Sequence, residues 1–358
     1  MPSWIQTLYQ NGWGSMMNEN EAILSEKNEE RASRGLTTME AIKNKLYAGG
    51  RLNKAEAMTL TEVPLEELCA AANDVREHFC GNVFDVCTII NGKSGKCSEN
   101  CKFCAQSRYY RTKVDAYSLI GSETIVEQAK YNEERGVLRY SIVTSGRALS
   151  SKEVDKVCES LEAVQKESDI ALCGSFGLLE ETEFAKLKQA GLTRVHNNLE
   201  TSRRHFPNVC TTHTYDDKIV AIRAAQQAGL TVCSGGIIGL GETMEDRIDM
   251  VIDLREMGIR SIPVNLLNPI PGTPFEENEV VSDDEMSRII AIFRLLAPDA
   301  YIRLAGGRGL LADKGRQCFL SGANAAISGD MLTTDGITIE QDMRMLGELG
   351  YEVVLRDD

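Results

Sequence analysis

From residue 82 onward the hydrophobic pattern keeps changing its period. Short runs rich in Val, Ile and other apolar residues give way to longer stretches in which apolar positions recur every three or four residues. The short runs predict strands at 82–90 (NVFDVCTII), 138–144 (LRYSIVT), 170–175 (IALCGS), 193–199 (TRVHNNL), 231–238 (TVCSGGII), 261–267 (SIPVNLL), 300–306 (AYIRLAG) and 324–329 (NAAISG). Amphipathic stretches between most of them predict helices, among them 122–135, 151–166, 214–228, 243–257 and 283–297. In ERGVLRY, QAGLTRV, QAGLTVC and EMGIRSI a glycine stands just before the next strand, where a helix commonly stops. Alternation of this kind over about 250 residues predicts an α/β fold, a parallel (βα)8 barrel of the TIM type. Ahead of it, TMEAIKNKLYAGGRL and PLEELCAAANDVREHF carry helical spacing. The expected organisation is a polar extension at 1–38, helices over 39–81, the barrel over 82–335 and a C-terminal helical segment over 336–358.

Composition narrows the class. Of 358 residues, 42% are hydrophobic and 26% charged, enough apolar material for a sizeable core. Lys and Arg number 39 against 53 Asp and Glu, a formal charge of −14. An acidic chain without a basic stripe argues against general nucleic-acid binding. No apolar run reaches the ~18 residues of a membrane span. The first residues lack the basic and apolar regions of a signal peptide, so a cytoplasmic location is expected. There the eleven cysteines read as reduced thiols or metal ligands.

Three of them lie together. GKCSENCKFCAQS (95–107) holds Cys97, Cys101 and Cys104 in a C-x3-C-x2-C pattern, just after the first predicted strand. In a parallel barrel that loop lies on the C-terminal face, where active sites sit. Three thiolates hold three irons of a [4Fe–4S] cube and leave the fourth open for a ligand. The plainer alternative is a zinc knuckle with a distant fourth ligand, although structural zinc sites usually pair their ligands as two short motifs.

The triplet, with aromatic Phe103 before its last cysteine, resembles that of the radical S-adenosylmethionine enzymes. In that superfamily the open iron chelates the methionine part of the cofactor, and an electron from the cluster releases a 5′-deoxyadenosyl radical. CTIINGKSGKCSENCKFCAQS, HNNLETS, VCSGGIIGLGET, PVNLLNPIPGTP, YIRLAGGR and GANAAISGDMLTT follow in an order that resembles the biotin synthases, over roughly residues 60–350. The resemblance implies sulfur insertion into dethiobiotin, with an auxiliary iron–sulfur cluster as sulfur source. It places Asn198 and Glu200 at the cofactor's ribose. Asn265, with Asn198, falls at the substrate's ureido ring, and Thr333 and Thr334 at its carboxylate. Thr144, Ile237 and Leu266 fall at positions lining the cofactor. A flavodoxin or ferredoxin as electron donor and a homodimer are implied as well. Hydrogenase-maturation and methylornithine-forming enzymes are the rivals within the superfamily. A non-catalytic cluster carrier is the rival outside it.

The family's common auxiliary cluster is a [2Fe–2S] unit on three cysteines and an arginine. Cys173, Cys233 and Arg303 match three of these ligands, but Ser141 stands at the third cysteine. A hydroxyl is a poorer iron ligand than a thiolate. Cys87, on the neighbouring strand where the common pattern often has a serine, offers a replacement thiol. Ala325 also replaces a serine that would bond the arginine, while Ser261 is kept. The expectation is an auxiliary cluster on Cys87, Cys173 and Cys233, with Arg303 as a further candidate ligand and participant in catalysis. It would be either [2Fe–2S] or a larger, sulfide-bearing [4Fe–4S]-type cluster. Cys69, Cys80, Cys158, Cys210 and Cys318 read as structural thiols. His196, His205 and His213 lie near the fourth strand without ligand spacing. Gly235, Gly236, Gly239 and Gly241 lack the spacing of a dinucleotide fingerprint and read as places of close backbone approach to the cofactor.

Overall fold

In the computed structural model, which describes residues 38–329, 331–332 and 336–355, parallel strands close into a ring. They are β1 (Val83–Lys93), β2 (Arg139–Thr144), β3 (Ala171–Ser175), β4 (Arg194–His196), β5 (Thr231–Cys233), β6 (Gly236–Ile238), β7 (Ser261–Leu266), β8 (Tyr301–Leu304) and β9 (Ala325–Ile327). The ring closes where β1 meets β9, with Asp85 beside Ala325, Val86 beside Ala326 and Cys87 beside Ile327. β5 and β6 both pair with β7 and share one place in the ring, so the barrel has the eight positions expected.

The split of 231–238 has a local cause. Pro263 in β7 has no N–H to give to a ladder. β5 therefore ends with Cys233 beside Ser261, and β6 begins with Gly236 beside Val264. Between them, a Cβ on Gly235 would lie 1.9 Å from the Pro263 carbonyl oxygen. On Gly236 it would lie 2.5 Å from that of Glu200. These two glycines thus admit neighbouring backbone, where the sequence suggested room for a cofactor.

Three helices precede the barrel: α1 (Met39–Tyr47), α2 (Lys54–Thr59) and α3 (Leu65–Cys80). Around and after the ring run α4 (Ser122–Glu133), α5 (Ser151–Gln165), α6 (Glu181–Gln189), α7 (Phe206–Val209), α8 (Tyr215–Gln227), α9 (Met244–Glu256), α10 (Asp283–Leu296), α11 (Arg316–Leu320) and α12 (Ile339–Glu348). Reciprocal capping boxes start several of them, such as Ser150 with Glu153, Thr214 with Asp217 and Thr243 with Asp246. The predicted glycine stops, Gly136, Gly191, Gly229 and Gly258, take φ of +80°, +102°, +78° and +76°. α10 is apolar on most sides and packs between α3 and the barrel. The C-terminal segment is not wholly helical. After α12, β10 (Glu352–Val353) adds in parallel to Val83 and Phe84 at the start of β1.

Alternation sets what the barrel encloses. Along β1, Phe84 and Val86 are fully buried in the apolar core, while Cys87 and Ile89 line the interior cavity. The same parity puts Arg139, Ser141 and Val143 of β2 inside, with Cys173 of β3, Arg194 and His196 of β4, Cys233 of β5 and Arg303 of β8.

Candidate active site

The triplet sits where the sequence pattern placed it, in the long loop between β1 and α4. Cys97, Cys101 and Cys104 are free and half-buried. The loop has few regular bonds, so specific ones fix it. Cys97 N–H donates to Gln106 C=O and Arg108 N–H to Cys97 C=O, both at 2.9 Å. Cys104 N–H donates to Cys101 C=O at 3.0 Å. Among the described residues, the group that converges as ligands of one ion would is Cys101 with Cys210 and His213, not the three triplet sulfurs. The spread of the triplet sulfurs suits ligands of separate irons. Burial pushes the Cys104 thiol up to about 11.

The second set of thiols lies inside the barrel. Cys87, Cys173 and Cys233 are 9%, 6% and 7% exposed, too little to be reached except through the cavity. Ser141 sits beside Cys173, and Cys87 beside Arg139. Burial pushes the Cys87 thiol up to about 12, against the pull of Arg303, and raises Cys173 against Arg194 and Arg139. Burial opposes the Cys233 thiolate too, but the hydrogen bond and charge of His196, with Arg303 and Arg194, bring it down to about 7. Ser261 Oγ donates to Cys233 Sγ at 3.2 Å. The kept serine therefore serves a thiol.

Arg303 is held from several sides. Nη1 donates to Cys87 Sγ, to Asp85 C=O and to Ala326 C=O, each at 3.2 Å. Nη2 donates to the Asp85 carboxylate at 2.8 Å. Asp85 also accepts from Arg139 Nε at 2.9 Å and lies 4.0 Å from Arg194. Burial works against the Asp85 carboxylate, but the three guanidinium groups hold it well below the usual range. Sequence reasoning missed Asp85, Arg139 and Arg194, and set His196 aside for want of ligand spacing. The available signal was parity: Asp85 is two residues before Cys87, and Arg139 two before Ser141, so each shares a face with a position already singled out.

One cavity of about 400 Å³ joins the two thiol sets, lined by all six cysteines. Phe103, Thr144, Asn198, Glu200, Ile237, Asn265, Leu266 and Arg303 also line it. Phe103 and Ile237 pack with Val209, Leu240 and Leu267 at its wall. Thr144 Oγ1 donates to Ser175 C=O at 3.3 Å. Glu200 stands at φ +71°, and its buried Oε2 has no hydrogen-bond partner. A buried, unpaired carboxylate oxygen is costly unless something donates to it, and a pair of sugar hydroxyls fits that need. Asn198 Oδ1 accepts from Gly235 N–H at 3.1 Å. Asn265 donates to Gly236 C=O at 3.0 Å and accepts from Gly306 N–H at 2.9 Å. A primary amide still has one donor and one lone pair after two such bonds. Thr333 and Thr334 lie outside the described residues, but Met331 and Leu332 just before them line the cavity.

The three histidines near β4 serve different partners. His196 bonds Cys233, His205 Nε2 contacts Leu240 C=O at 3.1 Å, and His213 Nδ1 lies 2.7 Å from Glu99. His213 Nδ1 also lies 3.3 Å from Cys210 Sγ, which the sequence had grouped with the structural thiols. Cys210 instead adjoins the triplet. The hydrogen bond it shares with Cys101 raises the Cys101 thiol and lowers that of Cys210.

Residues 91–254 match the profile of the Radical SAM superfamily, and 263–352 that of the Biotin and Thiamin Synthesis associated domain. The biotin synthase of Brachyspira hyodysenteriae is 61% identical over 321 residues, 90% of this chain and 96% of that protein. That of Akkermansia muciniphila is 57% identical over 313 residues, 87% of this chain and 98% of its own. Among solved structures, methylornithine synthase aligns with a TM-score of 0.77 at 22% identity, covering 88% of this chain and 97% of that one. The FeFe-hydrogenase maturase HydG from Carboxydothermus hydrogenoformans aligns with a TM-score of 0.74 at 18% identity, covering 94% and 83%. These two share the fold.

Proposed function

The chain belongs to the biotin synthase family of radical S-adenosylmethionine enzymes, and on that footing we propose that it inserts sulfur into dethiobiotin, with Cys87 completing the auxiliary-cluster site. The observation that carries this reading is the single cavity with three thiols in its entrance loop and three more among its strands. Bound there, a [4Fe–4S] cluster with S-adenosylmethionine supplies a 5′-deoxyadenosyl radical, and an auxiliary cluster supplies the sulfur.

The chain's own residues hold and orient. Cys97, Cys101 and Cys104 ligate the first cluster. The unpaired Glu200 oxygen accepts from the ribose hydroxyls, with Asn198 beside it. The spare amide valences of Asn198 and Asn265 meet a ureido ring, which both donates and accepts. Thr333 and Thr334 receive the substrate carboxylate. Phe103, Thr144, Ile237 and Leu266 wall the cavity and exclude water from the reacting atoms.

Cys87, Cys173 and Cys233 ligate the auxiliary cluster, either [2Fe–2S] or a sulfide-bearing [4Fe–4S]-type cluster. Ligation needs thiolates, and the arginines around these thiols favour that form. Arg303, bound to Asp85 through one nitrogen and to Cys87 through the other, acts chiefly by orienting the Cys87 sulfur. A ligand role for it requires giving up a bond seen here. Flavodoxin or ferredoxin delivers the electron, the enzyme works as a homodimer, and its location is cytoplasmic. Among the described residues no helix is long and apolar enough to cross a membrane.

The test is anaerobic reconstitution of the full chain, followed by assay for biotin and 5′-deoxyadenosine. Both products are expected. 5′-Deoxyadenosine without biotin would place the chain with another reaction of the superfamily, and neither product would favour a cluster carrier. About six irons per chain indicate a cube with a [2Fe–2S] unit, and about eight indicate two cubes.

A further inference from the structure

Five cysteines belong to neither thiol set, and one of them, Cys210, lies against a triplet cysteine. The sulfurs of Cys101 and Cys210 lie within 4.8 Å of each other. Their approach is built by the backbone. Lys102 N–H donates to Val209 C=O at 3.0 Å, linking residues adjacent to each cysteine. Asn100 N–H donates to Thr212 Oγ1 at 3.1 Å, and Asn100 Oδ1 accepts from Thr211 N–H at 2.9 Å and Thr212 N–H at 3.2 Å. Asn100 Nδ2 donates to Thr211 Oγ1 at 2.7 Å. Two loops from different parts of the barrel are thus pinned with one sulfur on each. Cys101 is half-buried and lines the cavity, so small oxidants reach it, while Cys210 is buried behind it.

We propose that Cys101 and Cys210 form a disulfide when the chain has lost its first cluster and meets a peroxide, making the pair a redox latch on the cluster-loading site. This rests on the reading that Cys101 is an iron ligand. A disulfide needs its sulfurs ~2.05 Å apart, so the two side chains must draw together from the separation seen here. In the first step one thiol sulfur attacks hydrogen peroxide. The O–O bond breaks, a sulfenic acid forms and one water leaves. In the second step the other thiol sulfur displaces the sulfenic oxygen as water, and the S–S bond forms. Two thiols and one hydrogen peroxide give one disulfide and two waters. The latch has two effects. Cys101 stops at a reducible state instead of passing to sulfinic acid, which most proteins cannot reverse. Iron is kept from the site until a thiol reductant reopens it.

The experiment uses the full chain, stripped of iron by a chelator without air and exposed to equimolar hydrogen peroxide. Remaining thiols are alkylated and the peptides mapped by mass spectrometry. The expected result is one linked pair joining the Cys101 and Cys210 peptides. The oxidised chain should take up about four irons per chain fewer than the reduced one, the share of the first cluster, and dithiothreitol should restore them. In Cys210→Ser the link is absent, and after peroxide and then dithiothreitol the first cluster's share of iron uptake should recover several-fold less than in the wild type. A wild-type map with Cys210 fully alkylated, or with Cys101 joined to Cys104 instead, overturns the proposal, and so does equal recovery in the variant. The underlying reading is tested separately. If unoxidised Cys101→Ala takes up as much iron as the wild type, Cys101 is not a ligand, whatever the peptide map shows.

Discussion

The two thiol sets of this barrel differ in nearly every physical respect. Cys97, Cys101 and Cys104 lie within eight residues on one loop and are half-buried. Cys87, Cys173 and Cys233 come from three strands and are almost fully buried. The loop set is held by backbone bonds of its own segment and by its ties to Val209, Thr211 and Thr212. The strand set is held by barrel register and set among charged groups, with Arg303 on Cys87 and His196 on Cys233. A site that must exchange a cofactor suits an open loop, whereas one that must retain a sulfur source suits the interior.

Five substitutions, at four places in the site, press on that contrast. The largest effect is expected at the loop. Cys101→Ala should abolish both 5′-deoxyadenosine and biotin, because both depend on the first cluster. Product formation close to wild type would break the contrast at once. Next comes the interior. Cys87→Ala should remove biotin while leaving cofactor cleavage within about twofold, a difference of ~0.4 kcal/mol by the usual rate arithmetic. Ser141→Ala should leave both within the same range. If the two variants exchange behaviours, Ser141 is the ligand and Cys87 a buried thiol.

Asp85→Asn comes third and reads the charged floor under the strand set. Removing one partner of a buried ion pair typically costs ~3–5 kcal/mol, and here guanidinium groups lose their carboxylate. Because the Asp85 carboxyl titrates lower in the folded chain than in the unfolded one, its contribution is complete above the ordinary carboxylate range. It is lost as pH falls toward its folded value. Denaturant unfolding across acid pH should show that component in the wild type and not in the variant. Equal curves would mean that Asp85 does little to hold the floor. The smallest effect is at the cofactor. Glu200→Gln should raise the KM for S-adenosylmethionine about tenfold, as expected for loss of a charged acceptor worth ~1.5–3 kcal/mol, with the cluster spectrum unchanged. An unchanged KM would remove Glu200 from the ribose.

How legible each part was in the sequence follows from the range of the interactions. The triplet could be read because its spacing is local. The helix ends could be read because a glycine at positive φ stops a helix wherever it sits, as at Gly136 and Gly229. The strand thiols could be found only by adding a family resemblance to strand parity. Three things stayed hidden. The break between β5 and β6 depends on Pro263 of the neighbouring strand. The hold of Asp85 on Arg303 joins residues 218 positions apart. The approach of Cys210 to Cys101 depends on two loops that the sequence does not bring together. Thr333 and Thr334 lie outside the described residues and keep their assignment from resemblance alone.

The central claim is that the strand set holds a cluster through Cys87 independently of the loop set. Its most direct test is Mössbauer spectroscopy with iron and sulfide analysis of a full chain in which Cys97, Cys101 and Cys104 are all alanine. That chain should still bind auxiliary iron with a cluster spectrum, retain it when Ser141→Ala is added, and lose it when Cys87→Ala is added. Retention of the cluster with Cys87→Ala, or its loss with Ser141→Ala, would contradict the account.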